Sequence, residues 1–171
     1  MLRLLLGVVV LVLVVAAQVG CAQPTALEPG SEDPSKADKE AIRALPGAEF
    51  EAVEKGDIEA HLAVLADDVV TMPPNEAAIY GKPAFGSWSE RFYSQFTIER
   101  FDHSQEQIVV AGDWAFEDWT VSMTVAPKGD GDAVSEEVKG IHIYHKQSDG
   151  SWRIVRDIWN SDNPVPGLEG Q

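Results

Sequence analysis

The 171-residue chain carries 28 acidic and 13 basic residues, a formal charge of −15. A surface that acidic repels phosphate backbones and anionic headgroups, which argues against nucleic-acid binding and against electrostatic attachment to lipid. With Cys21 as its one cysteine it forms no internal disulfide, and the length beyond residue 20 suits one domain whose core needs no disulfide or metal staple.

Met1-Leu2-Arg3 is a short basic leader, and Leu4 to Ala17 is an apolar run of 14 residues, below the roughly 20 that a spanning helix needs. Residues 1–20 are therefore predicted to be an export signal and stay outside fold reasoning. Cys21, in "AAQVGCAQP", resembles the lipidated cysteine of a bacterial lipobox: Gly20 fits, whereas Gln18 stands where Leu is usual. Lipidation at Cys21 would tether the exported chain to a membrane. Ordinary cleavage, for instance after Ala22, would instead discard the cysteine and leave a secreted or periplasmic protein. Residues 21–35, rich in Pro and acids, read as a solvated tether.

The domain is expected over residues 36–164, with 165–171 as a tail. Ser35 followed by Asp38 resembles a helix start, and Ile42, Leu45, Ala52 and Val53 share a face of the segment to Lys55. Pro46-Gly47 interrupts it, which predicts a kink or two short helices. Gly56 ends that segment and Asp57 caps the next, where Ile58, Leu62 and Leu65 recur at helical spacing; His61 beside them reads as a packed or surface histidine. "DDVVTMPP" is a short strand stopped by two prolines, its Asp67-Asp68 solvated. Pro83 then suits the first turn of a helix carrying an aromatic stripe of Phe85, Trp88, Phe92 and Phe96. Four β-type runs follow, at 97–110, 114–126, 134–147 and 151–160, separated by "AGD", "PKGDGDA" and "SDGS". The order predicts an α+β fold, helices on one side of a curved antiparallel sheet.

"GDIEAHLAVLADDVVTMPP", "YGKPAF", "AGDWAFE" and "DGSWRIVRDIWNSDNP", in that order, resemble a SnoaL-like member of the nuclear transport factor 2-like superfamily, over roughly Asp38 to Pro164. Pro46-Gly47 departs from its continuous first helix. The resemblance implies a cone of about three helices on a strongly bent, mainly antiparallel sheet around a cavity. Relatives of this shape include ketosteroid isomerase, polyketide cyclases, scytalone dehydratase and limonene epoxide hydrolase, beside members that only bind or dimerise. Fold alone does not choose among these.

The last hairpin carries the chemistry. An Asp149-Gly150 turn pairing Ser148 with Ser151 places His142 opposite Asp157, Tyr144 opposite Val155 and Gly140 opposite Trp159, all on one face. The other face then holds Ile141 with Ile158, Ile143 with Arg156 and His145 with Ile154, an aliphatic surface suited to core or to a homodimer. The first face has the composition of a pocket wall. His142 and Asp157 are the candidate acid/base pair, each favouring the other's charge. Tyr144, Trp159, Met72, Trp88 and Phe92 are candidate contacts for a small apolar or aromatic ligand. A cross-strand structural pair is the alternative for His142 and Asp157.

A Gly112-Asp113 turn sets Trp114 and Phe116 on one face of their strand and Trp119 on the other. "HIYH" makes no metal site, because His142 and His145 point to opposite faces. "KGDGD" lacks the further ligands of a calcium loop, and no phosphate-binding glycine loop or nucleophile elbow occurs. No metal or cofactor is expected, and Cys21 lies outside the domain. Three readings follow: a small-molecule binding cone, an acid/base enzyme of isomerase, cyclase, dehydratase or hydrolase type, or a dimerisation module.

Overall fold

The computed structural model describes residues 34–163. The predicted export signal, Cys21, nearly all of the tether and the tail at 165–171 lie outside the described residues. The helices are α1 (Pro34–Lys55), α2 (Ile58–Val64) and α3 (Lys82–Gln95). The strands are β1 (Leu65–Met72), β2 (Ile79–Tyr80), β3 (Phe96–Ala111), β4 (Trp114–Pro127), β5 (Val134–Lys146) and β6 (Trp152–Ser161). The sheet runs β2-β1-β6-β5-β4-β3, antiparallel throughout except where β1 lies parallel to β6. This is the predicted α+β cone, with the helices packed on the curved sheet.

α1 begins at Pro34 and runs through Pro46 to Lys55 as one helix, so of the two expected outcomes the pair of short helices does not occur. Pro46 is fully buried, and packing of that face outweighs one lost backbone hydrogen bond. Asp38 does not act as a first-turn residue; its Oδ1 accepts from Lys146 Nζ at 2.8 Å and Trp152 Nε1 at 2.9 Å, pinning α1 to the sheet. Gly56 turns the chain at φ +65°, and Asp57 Oδ1 accepts from the Ala60 amide at 3.0 Å to cap α2, as the sequence predicts. Leu65 and Phe96 are extended residues that end α2 and α3, so each helix passes straight into a strand.

Asp67 and Asp68 are exposed on β1, at an irregularity in its pairing with β6. β4 alternates from Trp114 to Val121: Trp114, Phe116, Asp118 and Thr120 face solvent, and Ala115, Glu117, Trp119 and Val121 face inward. The core holds two clusters among the described residues. Ile42, Val64, Leu65, Val69, Phe85, Tyr144, Trp152 and Ile154 belong to one. Phe50, Trp119, Val121 and Val138 make the other, joined by Phe101, Met123 and Trp159.

The β5–β6 hairpin corrects the expected register at its turn end. Lys146, not Gln147, pairs with Trp152, so the turn is longer than predicted. A bulge then places the extra residue, Val155, between the Ile143–Arg156 and Tyr144–Ile154 pairs. Tyr144 therefore faces Ile154 rather than Val155, and His145 faces Arg153 rather than Ile154. Beyond the bulge the two shifts cancel: His142 faces Asp157, Ile141 faces Ile158 and Gly140 faces Trp159.

Gly140 is required by its neighbour. A Cβ there would meet Trp119 Cζ2 at 2.3 Å and the Ile158 carbonyl at 2.6 Å. Gly140→Ala should lower stability by about 1–3 kcal/mol through overpacking. A urea midpoint equal to that of the unsubstituted protein would show that the Trp119 indole does not lie over this glycine.

Candidate functional site

The cross-strand register builds a polar rung. Thr71 on β1 faces Asp157 on β6, which faces His142 on β5, which faces Glu117 on β4. All four side chains are buried on the inner side of the sheet. Above the rung lies Glu49, seven residues after Ile42 on the buried stripe of α1, and it is only 3% exposed. α2 adds His61, also buried, whose ring stands edge-on to Phe85 at 5.0 Å.

His142 is the hub. Its Nδ1 lies 3.1 Å from Glu117 Oε1, and its Nε2 lies 3.2 Å from Asp157 Oδ1 and 3.5 Å from Glu49 Oε2. Glu117 Oε1 also accepts a hydrogen bond from the Tyr144 hydroxyl. Glu49 Oε1 lies 3.3 Å from His61 Nε2. The contacts at His142 Nε2 are close but poorly aligned, and His142 Nε2, Asp157 Oδ1, Glu49 Oε2 and Thr71 Oγ1 have no hydrogen-bond partner among the described residues. Carboxylates flank both ring nitrogens, so the doubly protonated imidazolium is the form that matches its surroundings.

The titration behaviour follows from this crowding. Burial by itself would lower the His142 pKa, but the charges of Glu49 and Asp157, the close approach of Asp157 to Nε2 and the Glu117 hydrogen bond at Nδ1 outweigh it and hold it well above the ordinary 6.5. Burial would raise Glu49; the His142 charge and the His61 hydrogen bond overcome it and keep Glu49 below its ordinary 4.5. At Asp157 burial prevails over the neighbouring His142 and raises the carboxyl above 3.8. The Tyr144 phenol is pushed far above its ordinary value by burial and by the Glu117 charge, so it serves as a permanent donor.

A cavity of about 1050 Å³ lies between the helices and this sheet face. Glu49, His61 and Asp157 reach its surface, and so do the predicted contacts Trp88, Phe92 and Trp159. Trp88 stacks between Phe85 and Phe92, each at 5.7 Å, and meets Trp159 edge-on at 6.2 Å. The exposed lining residues Asn75, Glu76, Asp132, Asn160 and Asn163 mark the side open to solvent.

Three sequence-based assignments are corrected here. Met72 does not line the cavity: Thr71 points inward, so strand alternation turns Met72 outward, where it is 36% exposed. Tyr144 lies within the core with its hydroxyl committed to Glu117, and it too is absent from the cavity wall. His142 stands one layer behind Glu49 and Asp157, and Asp157 is the member of the pair that reaches the cavity.

Glu49 and Glu117 were missed, although both carried a signal. Glu49 continues the helical stripe of Ile42, and Glu117 shares the inward parity of Trp119. Glu49, His142 and Asp157 each present one ligand atom, all within 4.8 Å of one another, so this trio could hold a cation. The "HIYH" histidines do not combine, since His145 lies against the outward-facing Trp114 at 4.2 Å.

Residues 48–156 match the SnoaL-like domain. No curated protein matches the chain significantly. A ketosteroid isomerase-like protein from Erwinia carotovora atroseptica SCRI1043 is 24% identical, the alignment covering 72% of this chain and 95% of that one at a TM-score of 0.68. A conserved protein from Planctomyces limnophilus DSM 3776 is 25% identical over 74% of this chain and 98% of its own, with a TM-score of 0.63. An NTF2-like protein of unknown function from Pseudomonas putida KT2440 is 23% identical over 78% and 93% respectively, with a TM-score of 0.62. Three helices, a bent mixed sheet and a family match across most of both place this chain in the SnoaL-like domain family.

Proposed function

We propose that this chain binds a small apolar or aromatic molecule whose polar group is read by Glu49 and Asp157. The observation that carries the reading is the aromatic-walled cavity with these two buried carboxylates at its surface, neither holding its full set of hydrogen bonds. Large apolar pockets with a few convergent polar groups are the usual form of a ligand site. The neutral fluorophore 1-pyrenebutanol should bind saturably at one site, detected by energy transfer from the cavity tryptophans. Trp88→Ala should weaken it by about tenfold through lost apolar contact. Absence of saturable binding would remove the reading.

A second reading is acid/base catalysis on the bound molecule, favoured by the position of Asp157. A carboxyl group kept above its ordinary pKa, open to the cavity and backed by an imidazole, is suited to give and recover a proton. In this reading Asp157 touches the substrate and His142 positions it. Asp157→Asn should reduce turnover by about 10²–10⁴-fold while leaving affinity for a neutral ligand nearly unchanged. Equal losses in affinity and turnover would assign Asp157 to binding alone.

We also propose export with lipidation at Cys21, which fatty-acid labelling lost in Cys21→Ala would support and unchanged labelling would refute. Trp114, Phe116 and Ile141 expose their side chains on the outer sheet face, which supports a homodimer through that face. A monomer at micromolar concentration in sedimentation would exclude it.

A further inference from the structure

The cavity has a chemical bias beyond its shape. Its ionisable lining includes Glu49, Glu76, Asp132, Glu136 and Asp157, and no lysine or arginine among the described residues. An acid-rich composition favours acids on any exposed surface, so the three outer ones carry little weight. Glu49 and Asp157 are different: at 3% and 5% exposure they are held in the interior, where surface composition does not place a carboxylate.

One oxygen of each carboxylate lacks a donor. Glu49 Oε2 and Asp157 Oδ1 are buried, reach the cavity, and have no aligned hydrogen-bond donor among the described residues. A buried acceptor without a donor is costly, and a ligand that supplies N–H groups here relieves two such deficits at once. The count of ionisable groups agrees. The cluster sets three buried carboxyl groups, Glu49, Glu117 and Asp157, against two imidazoles, His61 and His142, so acidic groups outnumber basic ones.

The walls suit the same ligand. Phe50, Trp88, Phe92, Trp119 and Trp159 line the cavity, and aromatic faces attract an organic cation as well as an apolar body. An anionic ligand would meet the carboxylates with no basic residue but His61 to receive it, and a neutral one would leave the surplus of acidic groups unmatched.

We propose that the cavity selects a cationic ligand: an apolar or aromatic body bearing one protonated amine, seated with its N–H groups on Glu49 and Asp157. The inference rests on the ligand-binding reading above and names its ligand class.

The test uses the full chain and three isosteric probes: 1-pyrenebutylamine, 1-pyrenebutanol and 1-pyrenebutyrate. Each is titrated at neutral pH and followed by energy transfer from the cavity tryptophans. The amine should bind about tenfold or more tightly than the alcohol, and the carboxylate most weakly. Glu49→Gln should shrink the advantage of amine over alcohol to about threefold or less, with an unchanged circular dichroism spectrum as the sign that the fold is intact; an undiminished advantage in this variant overturns the seat assigned to the amine. If the amine and alcohol bind alike in the unsubstituted protein, the cation preference is overturned while the ligand-binding reading stands. Tightest binding of the carboxylate overturns it in the same way. If none of the three binds, both fall together.

Discussion

Glu117→Ala is expected to destabilise the domain by about 3–5 kcal/mol, the range for removing one partner from a buried charged pair. Glu117 is fully buried on β4, accepts from the Tyr144 hydroxyl, and lies 3.1 Å from His142 Nδ1. Truncation removes the shared carboxylate acceptor of a phenol whose burial forbids ionisation and of an imidazole that favours its charged form, leaving them only each other at 3.3 Å. Neither has water to turn to, since Tyr144 and His142 are both fully buried. Glu117→Gln keeps an acceptor for Tyr144 but removes the charge facing His142, and should fall between the two. Urea denaturation gives all three values, with circular dichroism to verify that the variants are folded. Losses below about 1 kcal/mol in both variants would mean that the rung does not hold the sheet together.

Alkaline pH should weaken the fold through His142. Its folded pKa is held well above the ordinary 6.5 by Glu49, Asp157 and Glu117 acting against burial. A group that binds its proton more tightly folded than unfolded stabilises the native state fully below the unfolded value of 6.5, and that contribution is lost as pH rises through the folded pKa. The urea midpoint should therefore fall as pH rises above 6.5, and His142→Gln should flatten that dependence. Asp157 acts in the same direction at lower pH, because burial raises its folded pKa above 3.8 and its contribution fades as pH climbs from there. Glu49 opposes both: with its folded pKa depressed below 4.5, its contribution is present above that value and lost on acidification. A midpoint that rises between pH 6.5 and 9 in the unsubstituted protein would contradict the positive charge assigned to His142.

Elements governed by neighbouring residues were legible in the sequence. Asp57 caps α2, Gly56 ends α1, Pro83 sits in the first turn of α3, and the Gly112-Asp113 turn sets the faces of β4 as parity requires. Each follows from local backbone geometry, side-chain hydrogen bonding or the period of a strand, all written within a few residues. The two-residue strand β2 escaped notice because it is defined by its pairing with β1. The continuity of α1 through Pro46 depends likewise on what covers that face.

The pairing of His142 with Asp157 was read correctly by way of two compensating shifts, a longer turn and the bulge at Val155. Strand parity is restored once both shifts have been passed, so the faces from Ile143–Arg156 to Gly140–Trp159 are as expected; between the turn and the bulge it is not, and Ile154, expected on the outer face opposite His145, lies buried opposite Tyr144. Composition, local capping and period-two alternation determined the fold class and the inward faces of β4 and β5. Only the tertiary structure brought Glu49 from α1 and Glu117 from β4 onto His142, separated from it by 93 and 25 residues of chain. It alone also decided that Asp157 reaches the cavity while His142 and Tyr144 stand behind it. Local sequence sets which way a side chain points, but the distance between side chains on separate elements depends on how a helix seats on a curved sheet, which is a property of the whole packed core.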